Sequence, residues 1–129
     1  MSQMNPQPGT VWCYNDVELE LDLTDVETVE RYEEVINSMD TGMKNMPKEG
    51  KQSEILRSYC NLLRGVFDDL FGEGTSDKMF GDKLNATQIT EAYEDFLGFV
   101  AGQGSKVTDI QNRIVNRYSP NRAQRRANK

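Results

Sequence analysis

The chain has 129 residues, of which 36% are hydrophobic and 28% charged, with a formal net charge of −6 and a mean hydropathy of −0.71. The length predicts a single domain able to build a core without disulfide or metal staples. Histidine is absent, which excludes Ser-His-Asp and Cys-His nucleophilic sites and histidine-ligated zinc, so catalysis is not expected.

Residues 1–10, with Pro6, Pro8 and Gly9, read as a flexible lead-in. Val11-Trp12-Cys13-Tyr14 is rich in strand formers. In the next run Val17, Leu19, Leu21 and Leu23 alternate with Glu18, Glu20 and Asp22, a period of two with one apolar face. The Asn15-Asp16 link between the runs predicts a β-hairpin. A lone hairpin is marginal in water, so its leucine face must lie on helices.

Thr24-Asp25-Val26-Glu27 has the pattern of a capping box opening a first helix, with Thr24 as cap. Its apolar positions are Val26, Val29, Tyr32, Ile36, Met39 and Met43, and Gly42 with Pro47 to Gly50 is expected to end it. A second helix, about 53–71, carries the widest apolar stripe, from Ile55 to Phe71, as expected for a central helix covered on two sides. Ser76 to Phe80 fits one short helical turn. A third helix, about 87–101 and capped by Asn85 or Thr87, has Ile89, Ala92, Tyr93, Phe96, Leu97 and Val100 as its stripe. Gly102 and Gly104 are expected to break it. A fourth helix, about 106–118, then turns Val107, Ile110 and Ile114 inward and Arg113 and Arg117 outward. Ser119-Pro120 resembles an N-cap followed by proline at the first helical position, which sets off residues 119–129 as a separate arm.

Chemistry-bearing motifs are sparse. Asp68-Asp69 and Glu33-Glu34 are neighbours that point about 100° apart on a helix, and read as solvated faces. Gly72-Glu73-Gly74 matches no phosphate loop, and Asp77 and Asp82 lack the spacing of a calcium loop. Cys13 and Cys60 read as small buried hydrophobes rather than a disulfide. No cofactor or metal is expected. The longest run without polar side chains, Phe96 to Gly102, is 7 residues, against about 20 for a bilayer span. No secretory signal is expected after Met1, and a cytoplasmic setting fits.

Charge is unevenly distributed. Residues 1–100 hold 8 Lys/Arg against 20 Asp/Glu, whereas residues 101–129 hold 7 Lys/Arg against Asp109 alone. Arg113, Arg117, Arg122, Arg125, Arg126 and Lys129 are therefore the candidate partner-binding residues. Three readings are open for this arm: a solvated terminus, a docking element for an acidic protein surface, or a phosphate-backbone contact. The acidic body and the lack of stacking aromatics disfavour nucleic acid. The asymmetry also suits self-association. The wide stripe of the second helix, with Met39, Met43, Met46 and Met79 nearby, reads as core, although methionine-rich helical surfaces also build helix-binding clefts.

Several segments together resemble a known family. They are Val17-Glu18-Leu19-Glu20-Leu21-Asp22, Glu30-Arg31-Tyr32-Glu33-Glu34, Phe67 to Thr75, Met79-Phe80-Gly81 and Tyr118 to Arg126. From about residue 15 onward the chain resembles the tail assembly chaperones of phages and prophages of Gram-positive bacteria. The FGEGT and SPNRAQRR segments are the most specific. That resemblance implies a non-enzymatic protein of the host cytoplasm that is absent from the mature particle. It would bind the tape measure protein, keep it soluble and extended while the tail tube forms, and then be displaced. Some such chaperones have a frameshifted long form that recruits the tail tube protein. A minor structural protein of the tail and a nucleic-acid-binding regulator are the alternatives. The expected fold is mainly α (α+β): an N-terminal β-hairpin packed on a bundle of about four helices, with a basic C-terminal arm. Its divisions are a lead-in 1–10, a single domain 11–118 and an arm 119–129.

Overall fold

A computed structural model describes residues 9–118. Two short strands, β1 (Val11–Tyr14) and β2 (Val17–Glu20), form an antiparallel hairpin. Asn15 and Asp16 both take positive φ, 48° and 64°, the geometry a two-residue hairpin turn requires. Trp12 pairs with Leu19 and Tyr14 with Val17, which puts these four on one face of the ribbon. That face meets the helices. Cys13 has the opposite parity, pairs with Glu18 and is exposed. Only Cys60 is the buried thiol expected of both cysteines, and burial pushes its pKa up.

Four helices follow among the described residues: α1 (Val26–Lys44), α2 (Gln52–Phe71), α3 (Thr75–Phe80) and α4 (Ala86–Tyr118). The hairpin on a mainly helical body matches expectation; the division of the helices does not. The predicted third and fourth helices are one continuous helix of 33 residues, about 50 Å long. Gly102 and Gly104 do not break it. The apolar register runs through them unchanged, because Gln103 lies on the same stripe as Phe96, Val100 and Val107 and is buried at 1% exposure.

The start of α1 also differs. Asp25, not Thr24, is the N-cap: its carboxylate accepts from Thr28 N–H at 3.1 Å and from the Thr28 hydroxyl at 2.9 Å. Thr24 is already committed, donating its hydroxyl to Asp22 at 2.6 Å. Gly42 lies inside α1 rather than ending it. A methyl there would meet Leu62 Cδ1 at 2.6 Å, so the glycine makes room for the Leu62 side chain of α2. At the start of α4, Asn85 accepts from Gln88 N–H at 2.9 Å, one of the two caps expected.

The core sits between the hairpin, α2 and the first half of α4. Phe67 and Phe96 are fully buried, 5.7 Å apart, and Trp12 covers both at 5.5 and 5.3 Å. Helix α2 contacts α1, α3 and α4, which explains its wide stripe. On α1 the most buried side chain is Val35, which the sequence reading left out. Val26, which it placed on the apolar stripe, is 70% exposed.

Asp68 is not a solvated carboxylate. It accepts from Ser76 N–H at 2.7 Å and from the Ser76 hydroxyl at 2.9 Å, capping α3 from α2. Arg64, beside it on α2, pairs with Asp77 at 2.6 Å and lies over the Phe80 ring.

The glycines of α4 carry a prediction. Nothing lies within 4 Å of a Cβ built on Gly98, Gly102 or Gly104. Each glycine in a helix interior costs about 0.5–1 kcal/mol relative to alanine. The double variant Gly102→Ala/Gly104→Ala is therefore expected to gain about 1–2 kcal/mol, measured by urea denaturation. A loss of stability would mean that the backbone at these positions is not helical.

Candidate functional site

The stripe on α4 is longer than the body that covers it. Ile89, Ala92 and Phe96 are fully buried, Val100 is half-buried and Gln103 is buried. Beyond them Val107 is half-buried, and Ile110, Ile114 and Val115 are 37%, 52% and 45% exposed. Val107, Ile110 and Ile114 were expected to face inward; Val115 was not among them. Those three keep the helical phase of the stripe, but among the described elements Ile110 and Ile114 are left 37% and 52% exposed.

Gln103 fixes what lies beside this stripe. Its side-chain amide donates to the Gly9 carbonyl at 2.6 Å and to the Leu21 carbonyl at 2.5 Å, and its oxygen accepts from Leu23 N–H at 2.8 Å. One side chain thus clamps both the entry to β1 and the exit from β2 against α4. Leu23 is held at the helix, and α1 starts two residues after Thr24 beside Val107 and Ile110.

The result is a cleft of about 250 Å³ between the start of α1 and the distal half of α4. Leu23, Val26, Val29, Val107 and Ile110 supply its apolar walls, with Thr24 and Gln111 at the rim. A larger groove of about 560 Å³ runs along the β2 edge, but Glu18, Glu20, Arg31, Asp69 and Lys78 make it polar. The small cleft, with the exposed Ile114 one turn beyond Ile110, forms an apolar surface among the described residues. Exposed contiguous apolar area of this kind commonly marks an interaction site.

Charge frames the surface. Arg113 and Arg117 are both exposed, one turn apart, on the flank of the Ile110–Ile114 stripe. Arg122, Arg125, Arg126 and Lys129 lie outside the described residues. The exposed face of α1 carries Glu27, Glu30, Glu33 and Glu34. Asp22, next to the clamp, has its pKa lowered, chiefly by the Thr24 hydroxyl bond and then by Thr24 N–H, with Lys106 adding a smaller pull. Its contribution to stability is present above the ordinary carboxylate pKa of 3.8 and is lost as pH falls through the lower folded value.

Among the described residues no group of three or more His, Cys, Asp or Glu is arranged to hold a metal ion, and no helix is long and apolar enough to cross a membrane. Tyr32 and Tyr93 are pushed up by burial, as expected of core tyrosines.

Compared with known proteins, residues 15–129 match the profile described as family of unknown function (DUF6673). The chain belongs to that family. No curated protein and no solved structure matches it. The DUF6673 match takes in the whole apolar surface of α4 and the Gln103 clamp, and it starts inside the hairpin turn. Strand β1, with Trp12, therefore precedes the region that defines the family.

Arg113 and Arg117 were named from charge, whereas the cleft and the Gln103 bonds beside it had not been anticipated. A signal for Gln103 exists: a glutamine falls on an apolar register, seven residues after Phe96 and four before Val107. A polar side chain at such a position is usually buried and fully bonded. The cleft had no comparable signal, because Leu23 and Ile110 are 87 positions apart in sequence.

Proposed function

We propose that this chain is a tail assembly chaperone of a phage or prophage, binding the tape measure protein and holding it soluble while the tail tube assembles. The observation that carries the reading is the uncovered apolar stripe of distal α4, through Val107, Ile110, Ile114 and Val115, continued by Leu23 and Val26. A rod-shaped helical partner presents apolar side chains at the same i, i+3, i+4 spacing, so a helix laid along this surface buries both stripes. The acidic body supports solubility of such a complex. The resemblance of the FGEGT and SPNRAQRR segments supplies the partner's identity. No chemistry is required of the protein, and displacement by tube subunits needs only moderate affinity. Arg113 and Arg117 serve as the charged border of the docking surface. The tail tube protein is a further partner only for a long form.

Co-expression tests this directly. The tape measure protein is expected to move from the insoluble to the soluble fraction and to co-purify with the chain. The double variant Ile110→Asp/Ile114→Asp should lose that effect. Both isoleucines are substantially exposed, so the variant keeps its fold. A tape measure protein that stays insoluble with the wild-type chain would sink the proposal.

A further inference from the structure

We infer that the apolar cleft between α1 and α4 is a docking site for the chain's own residues 1–8, with Met4 as the side chain that fills it. The inference is independent of the chaperone proposal.

Three observations lead there. The first is anchorage. In the hairpin register Val11 pairs with Glu20, and Leu21 N–H donates to the Thr10 carbonyl at 2.7 Å. The strand ends at Val11, and Gly9, at φ 90°, turns out of the ribbon, but Gln103 holds its carbonyl on α4 with the same side chain that binds Leu21 and Leu23. Gly9, the first described residue, is therefore anchored on α4 beside Leu23, which forms one wall of the cleft.

The second is reach. From Gln103 to Ile110 is seven residues of helix, about 10 Å. From Gly9 back to Met4 is five residues, up to about 17 Å when extended. Met4 reaches the cleft with slack to spare.

The third is chemistry. Residues 1–8 are uncharged and contain Met1, Met4, Pro6 and Pro8. Methionine is long, unbranched and suited to filling an irregular apolar gap such as the one between Val26, Val29, Val107 and Ile110. The other terminal segment fits poorly. Residues 119–129 have only Pro120, Ala123 and Ala127 among their apolar side chains, with four cations. An apolar cleft selects the first segment over the second.

The consequence is a resident occupant that any partner of this cleft must displace. Because the tether is short, the segment competes at high effective concentration. It shields Leu23 and Ile110 from non-specific contacts while the chain is free.

The test is methyl NMR on the full chain labelled at methionine ε-methyls and at valine and isoleucine methyls. The Met4 resonance, assigned from Met4→Leu, is expected to be shifted from its free position and to show NOEs to Val107 and Ile110 methyls. In Ile110→Asp the NOE to Val107 should vanish and the Met4 resonance should return to the free position. A Met4 methyl already at the free position in the wild-type chain overturns the inference. So does an NOE to Val107 that persists in Ile110→Asp. So, too, do NOEs found only between differently labelled copies in a mixed sample, which would assign the cleft to a second copy. Binding of a tape measure protein is read separately, by its solubility on co-expression, so failure of one reading does not decide the other.

Discussion

Replacing Gln103 by leucine is expected to cost about 3–5 kcal/mol, although leucine is apolar and near in size, because buried polar groups left without partners cost about 1–3 kcal/mol each. The substitution strands three main-chain groups at once: the carbonyls of Gly9 and Leu21 and the N–H of Leu23. Gln103→Glu separates donor from acceptor. It keeps an oxygen for Leu23 N–H but loses both N–H donors and adds a charge in a site with 1% exposure. Its stability should be low at neutral pH and recover in part as the carboxyl is protonated, since a protonated acid donates again. The sign follows from linkage, because burial raises the folded pKa of that glutamate above its unfolded value. Urea denaturation across pH 4–8 reads both variants. A Gln103→Leu protein within about 1 kcal/mol of wild type would mean that the clamp is not what holds the hairpin to α4.

Trp12→Ala is expected to be as severe, about 3–5 kcal/mol, the range for emptying a large aromatic site in a core. Trp12 is 4% exposed, stacks on Phe67 at 5.5 Å and meets Phe96 edge-on at 5.3 Å, and its indole N–H donates to Asp95 at 2.7 Å. Trp12→Phe retains the packing and removes the bond to Asp95, so it should cost only about 1–2 kcal/mol. The comparison is informative because Trp12 precedes the family match. If Trp12→Ala unfolds as wild type does, followed by circular dichroism at 222 nm, then the region from residue 15 closes its own core and β1 is an accessory. The aromatic contacts favour the opposite result: with Trp12 gone, both Phe67 and Phe96 lose a neighbour.

How much of this was legible in the sequence depends on whether the deciding interaction was local. The hairpin was legible because period-two alternation and a turn pair are local signals, and Asn15 and Asp16 satisfy them with positive φ. The α2 stripe and the short α3 were legible for the same reason. The capping residue of α1 was missed because Thr24 and Asp25 are both competent caps. What decided between them was Asp22, which engages Thr24 first. The break at Gly102 and Gly104 was wrong because glycine's helix penalty is small beside the tertiary contacts of Gln103 between them. Asp68 was misread because its partner, Ser76, lies across a turn on another helix.

The site divides along the same line. Arg113 and Arg117 stand out by charge and are exposed on α4, beside the cleft. The apolar cleft did not stand out, since its two walls come from opposite ends of the chain and meet only because Gln103 brings Leu23 to α4. The helical phase of Ile110 and Ile114 was right, but their burial was not, for a related reason. Periodicity shows which face of a helix is apolar, but what covers that face depends on where the other elements end.

The most direct measurement is amide hydrogen exchange of the full chain with and without the tape measure protein. The account predicts added protection concentrated at residues 107–117 of α4 and at residues 23–29, with α2 and the core half of α4 unchanged. Protection confined to other surfaces, such as the polar groove along β2, or none at all on mixing, would contradict it.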